Sequence, residues 1–313
     1  MIEKTSKLNY IRYHLLLPFP MQVYTFWARA TQYSAEAKGQ PSGLVAYAGS
    51  DISLADAQVQ AAALLQRRYE WVMTEESWPW DYPTGSQPLR EQLEQRVTNS
   101  KGELIAAITR NHYGSQVLNS TQVMFIDVDN QDLQQPLPDT TPFSFIGFFK
   151  QLFNPPPPAP PIIPREQLDL RLAAWLQLYP NWNFRVYRTR LGFRLLVTHQ
   201  LLAPASPEAR EVFAAMRADS TYVRLCLAQG CYRARLEPKP WRVQFRRPPH
   251  RFPYDTPEQV QQHRDWEQQY AAHSLNYSVC EWVGEYGSGQ TCPDAQQLTE
   301  LHDAACVGTN RLA

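Results

Sequence analysis

A chain of 313 residues with 30 basic and 30 acidic side chains carries no net formal charge, so overall charge singles out neither nucleic acid nor membrane as a partner. Its 43% hydrophobic and 12% aromatic content excludes a disordered tail, and its length exceeds the roughly 100 to 150 residues of one ordinary domain, so two domains or one elaborated domain is expected. Five cysteines, odd in number and without a CxxC pair, argue against a disulfide framework and against a standard zinc site.

Near the N-terminus the only apolar run, LLLPF, is broken by Pro18 and is too short for a signal-peptide core. No segment reaches the about 20 apolar residues of a membrane span, and the expectation is a cytoplasmic protein. Residues 1–115 read as an N-terminal α+β region. GLVAYAGS at 43–50 is a strand, and the stretch from Asp51 to Val72 is a helix in which Ser53 and Asp56 have capping-box spacing. Leu54, Ala57, Ala61, Leu64 and Leu65 recur at helical spacing and are expected to face a core. A second helix is expected over 88–97, with Pro88 in its first turn, and a strand over 103–111.

Residues 116–250 read as the core of the molecule, interrupted at 131–164 by a proline-rich insertion. Its NPPPPAPPIIP run enforces extended geometry, while the FSFIGFFKQLF ahead of it is a short helix that either docks the insertion or meets a protein partner or membrane surface. After the insertion, 165–180 is an amphipathic helix, FRVYRTR and FRLLVTH are two strands joined by a tight turn at Leu191-Gly192, and 206–219 is a helix capped by Ser206. CYRARLEPKP closes the series as a strand. With VMFIDVD at its head, the order is strand, helix, hairpin, helix, strand, and the fold class expected is α+β, a ferredoxin-like or RNA-recognition-like βαββαβ palm. Residues 251–313 read as a C-terminal helical extension.

Three groups of residues carry chemistry. Asp127 and Asp129, at i and i+2 on the end of a buried strand, point to one face and repel unless a cation sits between them. Hard Mg²⁺ or Mn²⁺ suits such a pair, and the alternative is a turn built by the local hydrogen bonds of VDNQD. Arg188, Arg190 and Arg194 are separated by even numbers along the hairpin, where planar guanidinium forks suit the phosphates of a nucleotide. From 224 to 251 the chain carries Arg224, Arg233, Arg235, Lys239, Arg242, Arg246, Arg247 and Arg251 against Glu237 alone. Trp241, Phe245 and Phe252 are interleaved, a composition suited to single-stranded nucleic acid, with a solvated face as the alternative. His302-Asp303 is a metal-ligand dipeptide that more commonly sits on a helix surface, and Cys226 and Cys231 read as packing thiols.

A strand ending hhhDhD, a helix, a hairpin with a small-Gly-x-basic turn, and a further helix and strand resemble the catalytic palm of the archaeo-eukaryotic primase and primase-polymerase superfamily, over about residues 120–240. The resemblance implies that Asp127 and Asp129 hold metal and that TRLGFR occupies the second motif. Arg194 stands there where the family has a nucleotide-contacting histidine, and no later hydrophobic-Asp motif matches the family's third. Two readings follow: a metal-dependent nucleotidyltransferase, or a catalytically degenerate palm that binds nucleic acid or a protein. A nucleotide-sugar transferase using the DxD ranks third.

Overall fold

The computed structural model describes residues 20–33, 43–73, 88–134 and 162–313. The aromatic-proline segment from Phe143 to Pro161 lies outside them. The expected strand at 43–50 pairs antiparallel, as β2 (Gly43–Ser50), with β1 (Phe26–Tyr33). Helix α1 (Leu54–Met73) packs on this pair through Ala57 and Ala61, both fully buried, whereas Leu54, expected inward, is exposed in the first turn. Asp56 N–H donates to Ser53 Oγ at 3.1 Å, the first half of the capping box, but the Asp56 carboxylate turns to the Ser50 hydroxyl at 2.6 Å.

The expected helix over 88–97 is instead strand β3 (Gln92–Thr98), the edge of an antiparallel sheet with β4 (Leu104–Arg110), β5 (Gln116–Ser120) and β9 (Tyr232–Arg235) in the order β3-β4-β5-β9. Leu89, Leu93 and Val97 recur at helical spacing, but the bulge between Leu93 and Gln95 sends Val97 into the main core while Leu89 and Leu93 pack on the opposite face of the sheet. The open edge of β4 decides for the strand, since its backbone groups need a partner.

The second sheet has the order β11-β7-β8-β6, antiparallel throughout, from β6 (Phe125–Asp129), β7 (Asn183–Thr189), β8 (Gly192–Val197) and β11 (Cys280–Gly287). Every residue of β8 is buried, so both faces of this sheet are covered. Helix α3 (Pro164–Leu178) contributes Leu168, Leu172 and Trp175 to that cover and α4 (Pro207–Met216) contributes Ala209, Val212, Phe213 and Met216. Ser206 caps α4 as expected, accepting from Ala209 N–H at 3.1 Å. The hairpin turn falls one residue early, at Arg190-Leu191, because Gly192 already pairs with Asp129. A Cβ on Gly192 would sit 2.0 Å from the Val128 carbonyl oxygen, which explains the glycine.

Two features depart from the expected palm. β9 touches β6 but donates its ladder to β5, so the last strand of the βαββαβ order belongs to the neighbouring sheet. The expected C-terminal helical extension is also corrected: it holds α6 (Pro257–Ser274) and α7 (Pro293–Cys306), but between them lie the two-residue strand β10 (Tyr277–Ser278) and β11, which pairs with β7 and completes the central sheet. CEWVGEYG buries only Cys280 fully and leaves Trp282 40% exposed, so it has no clean apolar alternation, and its mixed composition hid it. One hydrophobic core runs across both sheets, from Val97 and Ile105 to Val279 and Leu298. Among the described residues no helix is long and apolar enough to cross a membrane.

Candidate functional site

The site sits where β6 runs out of the core. Asp127 lies opposite Arg194 in the β6–β8 ladder, and Arg194 Nε donates to Asp127 Oδ1 at 2.9 Å. The cation beside Asp127 is therefore a guanidinium. Arg194 is only 1% exposed; its Nη1 also donates to the Arg235 carbonyl at 3.0 Å and lies 3.3 Å from His302 Nε2. Buried and committed in this way, it is not available to grip a nucleotide, contrary to the expectation from hairpin spacing. Even-numbered separation does not bring the three arginines together either: Arg188 is exposed and pairs with Glu281 at 2.6 Å, while Arg190 stands at the turn with its Nη1 3.5 Å from the Arg242 carbonyl.

Asp129 meets different company. Its carboxylate lies within 4.8 Å of those of Asp132, on the short helix α2 (Asn130–Gln134), and Asp219. Asp219 caps α5 (Ser220–Gln229) through Tyr222 N–H at 2.5 Å, and its own N–H donates to the Asp127 carbonyl at 2.9 Å, which fixes the cap against β6. Burial holds the Asp129 carboxyl above the usual range, and the charges of Asp219, Asp127 and Asp132 add to the rise. Asp132 is raised by burial and by Asp219. Three hard oxygen donors that repel one another in this way suit a divalent cation such as Mg²⁺ or Mn²⁺.

Facing the carboxylates is a group of cations from β9 and the turn after it. Burial pushes the Arg235 guanidinium down to about 10, with Arg194 and Arg242 adding repulsion against the pull of Asp127 and Asp129. Lys239 is pushed down to about 8 by burial and then by Arg235 and Arg242. Arg242 is lowered by burial and by Arg190. Among the described residues none of Arg190, Arg235, Lys239 and Arg242 forms an ion pair with a carboxylate. Cations that repel one another and meet Asp127 and Asp129 only beyond ion-pair distance are suited to an anion. No family model, curated protein or solved structure matches the chain.

The remaining expected residues divide. Arg233, expected to meet nucleic acid, is instead largely buried against Glu91, with both carboxylate oxygens within 2.9 Å. Trp241 is 41% exposed, its ring 4.8 Å from Tyr113, and the Arg247 guanidinium stands 5.1 Å from Trp241 and 5.7 Å from Tyr113. Arg246 is also exposed and reaches Gln269 at 3.3 Å. Cys226 and Cys231 are fully buried, and burial pushes both thiols up to about 12, as packing thiols require. His302 is not on a surface but fully buried. Reading the sequence missed Asp132, Asp219 and Tyr113. The signal for Asp219 was available in RADSTY, a carboxylate at a helix start, but that signal also describes an ordinary N-cap.

Proposed function

We propose that the protein is a palm-type nucleotide-binding protein that takes a nucleoside triphosphate with a divalent metal, in the manner of a primase-polymerase. The reading rests on one observation, the placing of Asp129, Asp132 and Asp219 opposite four cations without carboxylate partners. Mg²⁺ or Mn²⁺ held by the three carboxylates would neutralise charge on the phosphates. Arg235, Lys239 and Arg242 orient those phosphates from the opposite side, and Arg190 closes the mouth of the site. Asp127 positions rather than ligates: its Oδ1 is taken by Arg194, and its main chain anchors Asp219. A catalytically degenerate binding module is the second reading, favoured by that same Arg194–Asp127 pair. Incorporation of labelled nucleotide on a primed template separates the two, since the module binds but does not extend.

Calorimetric titration of a nucleoside triphosphate with Mn²⁺ tests the site. Binding is expected to need the metal and to weaken as pH rises through about 8, where Lys239 loses its proton in the free protein. The sign follows from linkage: bound phosphate raises the lysine's pKa, so affinity is full below the free value and falls above it. Arg235, Arg242, Asp127 and Asp129 face Lys239, and Lys239→Met should remove this pH dependence. Absence of metal-dependent binding at any pH would refute the reading.

The exposed Trp241, with Tyr113 and Arg247, supplies a stacking platform beside the site for single-stranded nucleic acid. Trp241→Ala is expected to weaken binding of a labelled oligonucleotide by about 1–3 kcal/mol with the salt dependence unchanged. Arg246→Gln with Arg247→Gln should instead flatten the slope by about 0.7 log units for each phosphate no longer neutralised. Equal behaviour of the two variants in a salt titration would show that stacking and charge are not divided in this way.

A further inference from the structure

A second cluster of metal-ligating side chains lies apart from the carboxylates. Cys280 opens β11, and His302 and Cys306 stand one turn apart on α7, bringing two sulfurs and an imidazole nitrogen within 4.8 Å of one another. Cys280 Sγ is 3.7 Å from Cys306 Sγ and 4.0 Å from His302 Nε2. All three residues are buried. A point equidistant from three atoms so spaced lies no more than about 2.5 Å from each, close to the ~2.3 Å of a Zn–S bond and the ~2.0–2.1 Å of a Zn–N bond.

The imidazole is already turned for ligation. Its Nδ1 lies 2.9 Å from Asp303 Oδ1, and that carboxylate is fixed by the Tyr187 hydroxyl at 2.7 Å and by Arg185 at 2.6 Å. A carboxylate on Nδ1 keeps the proton there and leaves the Nε2 lone pair facing the sulfurs, the arrangement common to metal-bound histidines.

We propose that Cys280, His302 and Cys306 bind Zn²⁺ as a structural site that ties the start of β11 to the end of α7. As the ion enters, both thiols release their protons, and the two thiolates cancel its charge. The Arg194–Asp127 pair beside the site therefore meets no added charge, while Arg194 gives up its 3.3 Å approach to His302 Nε2 and keeps Asp127 and the Arg235 carbonyl. Cys292 caps the far end of α7, about 15 Å along the helix from His302 at 1.5 Å per residue, and takes no part.

The test does not depend on nucleotide binding. Full-length protein purified without chelator from zinc-supplemented cells is assayed for metal by mass spectrometry, and protein refolded with Co²⁺ is read by absorption. The expected result is close to one zinc per chain, with a thiolate-to-cobalt charge-transfer band in the substituted protein. Both signals should vanish in Cys280→Ser and Cys306→Ser and persist in the Asp129→Asn, Asp219→Asn double variant. If a cysteine variant fails to fold, the wild-type stoichiometry and cobalt spectrum decide alone. Wild-type protein with well under one equivalent of zinc and no cobalt–thiolate band overturns the proposal, as does an intact mass lower by two hydrogens, the mark of a Cys280–Cys306 disulfide.

Discussion

Arg194→Ala is expected to lower the unfolding free energy by about 3 kcal/mol, within the roughly 3–5 kcal/mol lost when one partner of a buried ion pair is removed. The guanidinium is 1% exposed and bridges β6, β9 and α7. Its removal opens a cavity and strands the Arg235 carbonyl and the Asp127 carboxylate. The Asp127 side chain retains 27% exposure, so water recovers part of the loss, which places the effect at the lower end of the range. Arg194→Lys should be nearly as damaging, because a point-like ammonium cannot span the separate acceptors that a planar fork reaches. Urea denaturation at constant m-value measures the change. A loss below about 1 kcal/mol would mean that the three elements do not depend on this bridge.

Asp219→Asn should remove the stabilisation by Mn²⁺ while leaving the metal-free protein almost as stable as before. Asparagine caps a helix as well as aspartate does, so α5 keeps its start. The metal is a different matter, since one of three carboxylates is gone. With Mn²⁺ at about a hundred times its dissociation constant, wild-type protein gains about 2.7 kcal/mol, and the variant is expected to lose most of it. Without metal the crowded carboxylates are a net cost at neutral pH. Asp129 and Asp132 titrate above 3.8 in the folded state, so their stabilising contribution is complete below that pH and disappears as pH rises through their raised values. Asp219→Asn relieves part of that repulsion. A melting-temperature series with and without Mn²⁺ reads both effects, and an undiminished Mn²⁺ response in the variant would exclude Asp219 as a ligand.

Asp127 and Asp129 were legible because a single strand sets their geometry: period two and a buried apolar run leave little freedom. What they face was not legible. Asp127 meets Arg194 through the register of β6 against β8, and Asp129 meets Asp219 through a helix cap some ninety residues later in the chain. Both meetings are tertiary and have no local signal. Arg233 looked like any other cation of the basic segment until Glu91, on the approach to β3, came to lie against it. Leu89, Leu93 and Val97 illustrate the other failure, a helical spacing that a bulged strand divides between two faces of a sheet. The helices α3 and α4, with a proline in the first turn of each and Ser206 as a side-chain cap for α4, followed local rules and emerged as expected.

The pairing of β11 with β7 bears on how the protein is made. Residues 183–189 leave the ribosome about a hundred residues before residues 280–287, and until then one edge of the central sheet has no partner. That edge carries Phe184, Val186 and Tyr187 among unpaired backbone donors and acceptors, a template for joining another nascent chain. Polypeptides released early, or ended by a premature stop before β11, keep this edge open. Such chains are expected to self-associate through it.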